Sequence, residues 1–377
     1  MACYRSIFRW IINKPYKVVI IAVVLLLVLI RLLLPQFILA YANKQFRAIP
    51  GYTGSIRDVD LHLLSGYYRI EGVGFKLTKG PGPHPVNVFS TTDIEFHLLW
   101  SELFKGHIVG SVMVNNPNAS FFERMLIPQV QKPKKPPKPV SSLFRNLLPI
   151  RINEFAIRNG EFHIKNYISS PEYDIYIKNV RLDIRNITNS AKVSETRYAN
   201  AHLTGTVMKS GKLVVDAIVN PISKDPDFYV ASQLIGLNVE DMNTFTREYA
   251  GFDFEKGTFS ASTEISSYNN NLDGYVRPSF HDLQVFSWKK DVRKRGENIS
   301  KAFWEAIVGT TGEVLENQKK GALATRIPIK GTIKNPQPDI AVTIANVLRD
   351  AFIKAYLPKI EHSIPLPGQK EKEQKHK

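Results

Sequence analysis

From Thr53 onward, apolar and polar residues alternate at a period of two, and that regularity commits most of the chain to β-strands. Val59, Leu61 and Leu63 alternate with Asp58, Asp60 and His62, and Phe155 and Ile157 alternate with Glu154, Ala156 and Arg158. Phe162 and Ile164, Ile175 and Ile177, and Val180, Leu182 and Ile184 continue it. Successive side chains of a strand point to opposite faces, so each stretch presents one apolar and one polar side. A chain of 377 residues built this way accommodates two or three domains or one long β-structure.

A second regularity is a repeated Gly-x-apolar-x-apolar unit, beginning at Gly66, Gly160, Gly211 and Gly257, with a looser copy at Gly106. Successive glycines are 40, 54, 51 and 46 residues apart, and each follows Ser, Lys or Asn. Glycine supplies the positive φ of tight hairpin turns. Either one hairpin unit is reused along the chain, or five unrelated hairpins sit in an ordinary antiparallel sheet.

Ahead of the strands, Val18 to Ile30 are thirteen uninterrupted apolar residues, and the stretch Tyr16 to Leu34 is nineteen residues long. A helix needs roughly 20 to cross the hydrocarbon core, so the segment reads as one transmembrane helix, with Val18, Ile21, Leu25, Leu29 and Leu33 spaced along it. Arg31 lies near its end, where a long side chain reaches the headgroups, so a buried functional charge is the lesser reading. Arg5, Arg9, Lys14 and Lys17 precede the helix without an acid, whereas Lys44 and Arg47 follow it, which favours a cytoplasmic N-terminus and export of residues 43–377. The rival is a cleaved signal peptide, since Ala40-Tyr41-Ala42 has the small-x-small form. Arg31 and Pro35 intervene, and the site lies far beyond the apolar run, so a retained anchor is the expectation.

Fifty Lys+Arg against 34 Asp+Glu give a formal net charge of +16, which points to nucleic acid or an anionic membrane surface. Export disposes of nucleic acid. The lone Cys3 leaves no intramolecular disulfide to form, so the fold rests on packing and hydrogen bonds. Between Pro128 and Pro139, five prolines and four lysines without an acid make an extended linker, either a solvated spacer or a membrane-surface contact. Ile299, Phe303, Ile307 and Val314-Leu315 follow helical spacing, and Val347, Leu348, Ala351, Phe352, Ala355 and Tyr356 make an apolar helix face before Pro358. Such helices cover a sheet end or contact a membrane or partner.

Catalytic constellations are not found: there is no His-Glu-x-x-His, no Gly-x-Ser-x-Gly, no phosphate loop and no clustered metal ligands, and the nine histidines are scattered. His62, His97 and His107 read as surface histidines. Asp58 and Asp60 share a strand face and read as solvated rather than as an acid–base pair. The expectation is a protein that is not an enzyme and needs no cofactor or metal.

Tyr52-Thr-Gly-Ser-Ile-Arg-Asp-Val-Asp-Leu-His-Leu-Leu-Ser-Gly66, after a single anchor, resembles the opening of AsmA-like proteins. Leu99-Trp-Ser-Glu-Leu-Phe-Lys-Gly106 leading to Asn116-Pro117 is similar to their short helix, turn, strand and Asn-Pro step. Gly274-Tyr-Val-Arg-Pro278, Thr325-Arg-Ile-Pro-Ile-Lys-Gly331 and Leu348-Arg-Asp-Ala-Phe352 are similar to a short bacterial branch known only as a domain of unknown function. The resemblance covers nearly the whole exported chain, and its motifs are structural, with no catalytic residues to carry over. It implies a mainly β fold in which a long curved antiparallel sheet forms an apolar groove, with an N-terminal transmembrane helix and amphipathic C-terminal helices. It also implies an inner-membrane anchor and a part in phospholipid transport or lipid homeostasis in a Gram-negative envelope. The chain departs from the large members, AsmA and TamB, in being much shorter. Roughly fifteen strands at about 4.8 Å give a groove of about 70 Å, too short to bridge two membranes.

The expected organisation is a cytoplasmic stretch 1–17, the anchor and exit segment 18–42, periplasmic β segments 43–127 and 141–295 around the linker 128–140, helices and a hairpin over 296–367, and a frayed tail 368–377. Candidate groove residues are Val59, Leu61, Phe96, Phe155, Ile157, Phe162, Ile164, Ile175 and Ile177. Their partners would be membrane phospholipids, with other envelope proteins as further partners. The alternative is a periplasmic scaffold or assembly factor whose apolar face is a closed core.

Overall fold

Where the alternation is strongest, the chain forms strands of a single fifteen-stranded sheet. The computed structural model describes residues 15–47, 51–78, 86–122, 149–166, 172–194, 196–223, 225–249, 253–285, 322–324 and 326–333. The linker 128–140, both late helices and the tail 368–377 lie outside the described residues.

Helix α1 (Pro15–Arg47) precedes β1 (Tyr52–Ser55), β2 (Asp58–His62), β3 (Tyr67–Leu77) and β4 (Val86–Leu98). A single turn, α2 (Trp100–Leu103), leads to β5 (Ile108–Asn115) and β6 (Asn118–Phe122). Then follow β7 (Ile150–Asn166), β8 (Tyr173–Thr188), β9 (Ala199–Val207), β10 (Gly211–Val219) and β11 (Phe228–Asn238). A 3₁₀ turn (Val239–Met242) and α3 (Asn243–Tyr249) separate these from β12 (Phe254–Tyr268), β13 (Asn271–Val285), β14 (Ala322–Ala324) and β15 (Ile327–Thr332).

The strand path has twelve positions, because β1 and β2 share one edge of β3, β5 and β6 share one edge of β4, and β14 and β15 share one edge of β13. Twelve positions span about 50 Å at the usual strand spacing, shorter than fifteen separate strands imply. Strands on both sides of the linker belong to this one sheet.

Two departures from the sequence expectations have local causes. Pairing is antiparallel throughout except at β7, which runs parallel to β5 and β6. The connection 123–149 is far longer than a hairpin turn, and a parallel crossover needs about a dozen residues or more. The repeated glycines are also not five hairpin turns. Gly66 and Gly106 sit at turns with positive φ, and Gly211 opens β10 after a turn at Met208, whereas Gly160 and Gly257 lie inside β7 and β12 at register shifts.

Helix α1 is long and apolar enough to cross a membrane. It has two unlike parts. The described side chains from Tyr16 to Leu33, including Ile21, Leu25, Leu29 and Leu33, are exposed on all sides. From Leu34 onward, one face consisting of Leu34, Ile38, Leu39, Ala42 and Phe46 packs on Ile56, Val59, Leu61 and Val73. Asn43 clamps the contact, its amide donating to the Ile56 carbonyl (3.0 Å) while its own oxygen accepts from the Ile56 N–H (2.7 Å). Arg31 donates to the Leu61 carbonyl (2.9 Å), so its guanidinium is spent on tying the helix to β2.

Candidate functional site: the apolar face of the sheet

Residues opposite each other in register share a face, and the pairings draw two apolar rows across the sheet. One row runs Leu61, Tyr68, Phe96, Val112, Phe155, Ile184, Ala201, Ala217, Val230 and Ile265. The row beside it runs Val59, Ile70, Ile94, Val114, Ile157, Leu182, Leu203 and Val215 before turning polar at Ser232 and Thr263. On the opposite face, the row between them carries Asp60, Arg69 and Glu95, then Met113 and Ala156, then Asp183, His202 and Asp216. One side of the sheet is thus apolar over at least eight strand positions, and its back is rich in charged residues.

The remaining candidates join the apolar side through a phase change. Ile157 and Phe162 are five apart, which strict alternation would send to opposite faces. Instead, Asn159 (φ 55) and Asn179 (φ 53) are extra residues in β7 and β8, so that Ile157 opposes Leu182, Gly160 opposes Val180, and Phe162 opposes Ile177. Ile164 opposes both Ile175 and Phe121. All nine candidates therefore lie on one face. Val59 and Leu61 are covered there by the chain's own helix, which removes them from any open surface.

These bulges belong to a crease that crosses the sheet. Gly72 (φ 61) in β3, Asn116 (φ 50) between β5 and β6, Asn159 and Asn179 lie level across neighbouring strands, and Asn116 accepts from Asn159 (2.8 Å) and donates to Thr92 (3.2 Å). Farther along, β8 and β9 shift register opposite Gly205, and β11 shifts around Gly236 (φ 69). A Cβ at Gly205 would stand 2.8 Å from the Ile177 methyl, so the crease is also tight. Bulges bend a strand and increase its twist. No alternation pattern announces these asparagines; the odd spacings, Ile157 to Phe162 and Ile177 to Val180, are the signal that locates them.

Exposure along the apolar face is uneven. Tyr68, Phe96, Val112, Phe155, Ile157, Leu182, Ile184 and Leu203 are half-buried, and Ile164 and Phe121 are exposed. At the far end Phe228, Val230, Ile265 and Val276 form a fully buried cluster. There the back of the sheet is buried too: Tyr229 donates to Glu264 (2.8 Å), and burial followed by that carboxylate raises the phenol pKa.

Behind Phe162 and Ile175, the charged face carries a network. His163 bridges Glu161 (2.8 Å) and Asp174 (2.8 Å), Lys178 pairs with Glu161 (3.0 Å), and Lys165 pairs with Asp174 (3.4 Å). Burial alone would raise the Glu161 pKa, but hydrogen bonds from Lys178 and His163 outweigh it and hold the carboxyl below its ordinary value. Asp58 and Asp60 are exposed on this side, while His62 and His97 flank Tyr67 and His107 contacts Glu102 (3.3 Å). Among the described residues, no group of His, Cys, Asp or Glu is placed to hold a metal ion.

No protein-family model matches the chain, and no curated protein matches it. The chemistry of the site therefore stands on its own geometry: a broad apolar surface, too large for one contact to dominate, backed by a side rich in charged residues.

Proposed function

We propose that the protein is a membrane-anchored, non-enzymatic lipid-handling protein, in which acyl chains lie against the apolar face of a sheet curled into a groove along its crease. The observation that carries this reading is the pair of apolar rows, half-buried from β3 to β10 except at buried Val114, with Phe245 of α3 meeting β8 at Tyr173, the first residue of that strand. Each CH₂ withdrawn from water contributes about 0.8 kcal/mol, so an acyl chain and this face stabilise one another. The anchor reading is supported by α1: its apolar half is exposed on all sides, while Leu34 to Phe46, which a signal-peptide cleavage after Ala42 would sever, belong to the packing of the sheet. The resemblance to AsmA-like proteins favours the same reading. It adds the inner membrane of a Gram-negative cell, a cytoplasmic N-terminus, and phospholipid transport or envelope lipid homeostasis as the setting.

A second reading, a scaffold or assembly factor with a closed β core, draws its support from the buried cluster at Val230, Ile265 and Val276. Counting lipids separates the two. In the purified full-length chain, mass spectrometry should find phospholipid in excess of what a variant carrying Leu182→Asp and Leu203→Asp retains, because annular lipid around α1 is common to both. Equal lipid content in the two folded proteins would favour the scaffold.

A further inference from the structure

The end of the sheet nearest α1 carries apolar side chains that neither the apolar face nor the core uses. Leu64 is 100% exposed, Phe104 84% and Leu99 46%. They come together at the turn between β2 and β3 and at α2. Three contacts tie the two together: the Trp100 indole N–H donates to the Leu63 carbonyl (2.7 Å), the Trp100 and Phe104 rings stack at 6.0 Å, and the Leu98 N–H donates to the Gly66 carbonyl (2.8 Å). Gly66 has φ 69, and a Cβ there would stand 2.2 Å from the Leu98 oxygen, so only glycine lets the turn close on α2.

The position of this tip along α1 is set by the two clamps. Ile56 is held at Asn43 and Leu61 at Arg31. Between these points the helix spans about 18 Å and β2 about 16 Å, so the strand runs back down the helix toward its apolar half. Past Leu61, β2 ends at His62 and the turn that carries Leu64 follows directly, at the Arg31 end of the clamp. Just above the tip, Tyr67 stands between His62 (5.6 Å) and His97 (4.8 Å). Rings with a polar end over an apolar end are the pattern found at the membrane–water boundary.

We infer that the β2–β3 turn and α2 form a wedge inserted into the leaflet from which α1 emerges. This rests on α1 being a retained membrane span, and its occupant is the acyl layer of that same membrane. Tyr68 and Phe96, in register with Leu61, begin the apolar row one step from the wedge, and Leu98 lies two residues beyond Phe96 on the same strand. The wedge would bring the start of the apolar face into the leaflet, so an acyl chain passes onto it without crossing water.

The test uses the full chain with Cys3→Ser and single cysteines replacing Leu64, Phe104, Leu25 or Lys76, each nitroxide-labelled and reconstituted in phosphatidylcholine–phosphatidylglycerol vesicles. Lys76 is exposed at the opposite end of β3. Collision with oxygen should exceed collision with a water-soluble nickel chelate at 64, 104 and 25, and the order should reverse at 76. Nickel access at 64 and 104 matching that at 76, while 25 stays shielded, would overturn the wedge and leave the span intact. Nickel access at 25 as well would overturn the span, and the wedge with it.

Discussion

Ile164 and Ile265 share the apolar face of one sheet and differ in their surroundings: the first is 43% exposed and the second 0%. An aspartate at 164 keeps its water, and surface changes of this kind cost about 0.5 kcal/mol or less. The same change at 265 buries an unpaired carboxylate and costs on the order of 4 kcal/mol or more. Thermal unfolding of the two variants should therefore leave Ile164→Asp near the wild type and Ile265→Asp unfolded or strongly destabilised. Equal damage at both positions would mean that the face is closed along its whole length. The sequence makes the apolar partners legible, because alternation alone assigns Phe155, Ile157, Leu182 and Ile184 to one face of their strands. It leaves the difference between 164 and 265 hidden, because exposure depends on what a distant part of the chain lays over each residue.

Elements show the same division between local and distant information. The strands follow from a period of two and the apolar helix from an uninterrupted apolar run, both of which are local. The parallel seam at β7 and the docking of α1 on β1 and β2 depend on pairings across long separations, which no local pattern encodes. The β7–β8 hairpin also carries a pH-sensitive brace on its charged side. Glu161 is held below its ordinary pKa in the folded protein by Lys178 and His163 against the effect of burial. A depressed carboxylate contributes stability that is present above its unfolded value, about 4.3, and is lost as pH falls through the folded value. Stability measured by denaturant titration should therefore decline more steeply for the wild type than for Glu161→Gln between about pH 5 and about pH 3. Parallel curves would show that the brace contributes nothing.

At the scale of the molecule, twelve strand positions give a sheet about 50 Å long, and its apolar rows cover eight to ten of those positions, far less than a path between two membranes requires. A lipid taken up at the α1 end would have to pass to a partner or back to a membrane, and the buried cluster around Val230 and Ile265 marks where the accessible part of the face stops. Along such a path no single contact is specific, which fits a surface of Val, Ile, Leu and Phe with few polar anchors. Photo-crosslinking tests this most directly, with a photoreactive residue in place of Phe155, Ile157 or Leu182 on one face and of Glu95 or His202 on the other, in cells labelled with radioactive phosphate. Phospholipid adducts are expected from the first three positions and none from the last two; protein-only adducts from Phe155, Ile157 and Leu182, or equal lipid labelling from both faces, would show that the apolar face carries no lipid of its own.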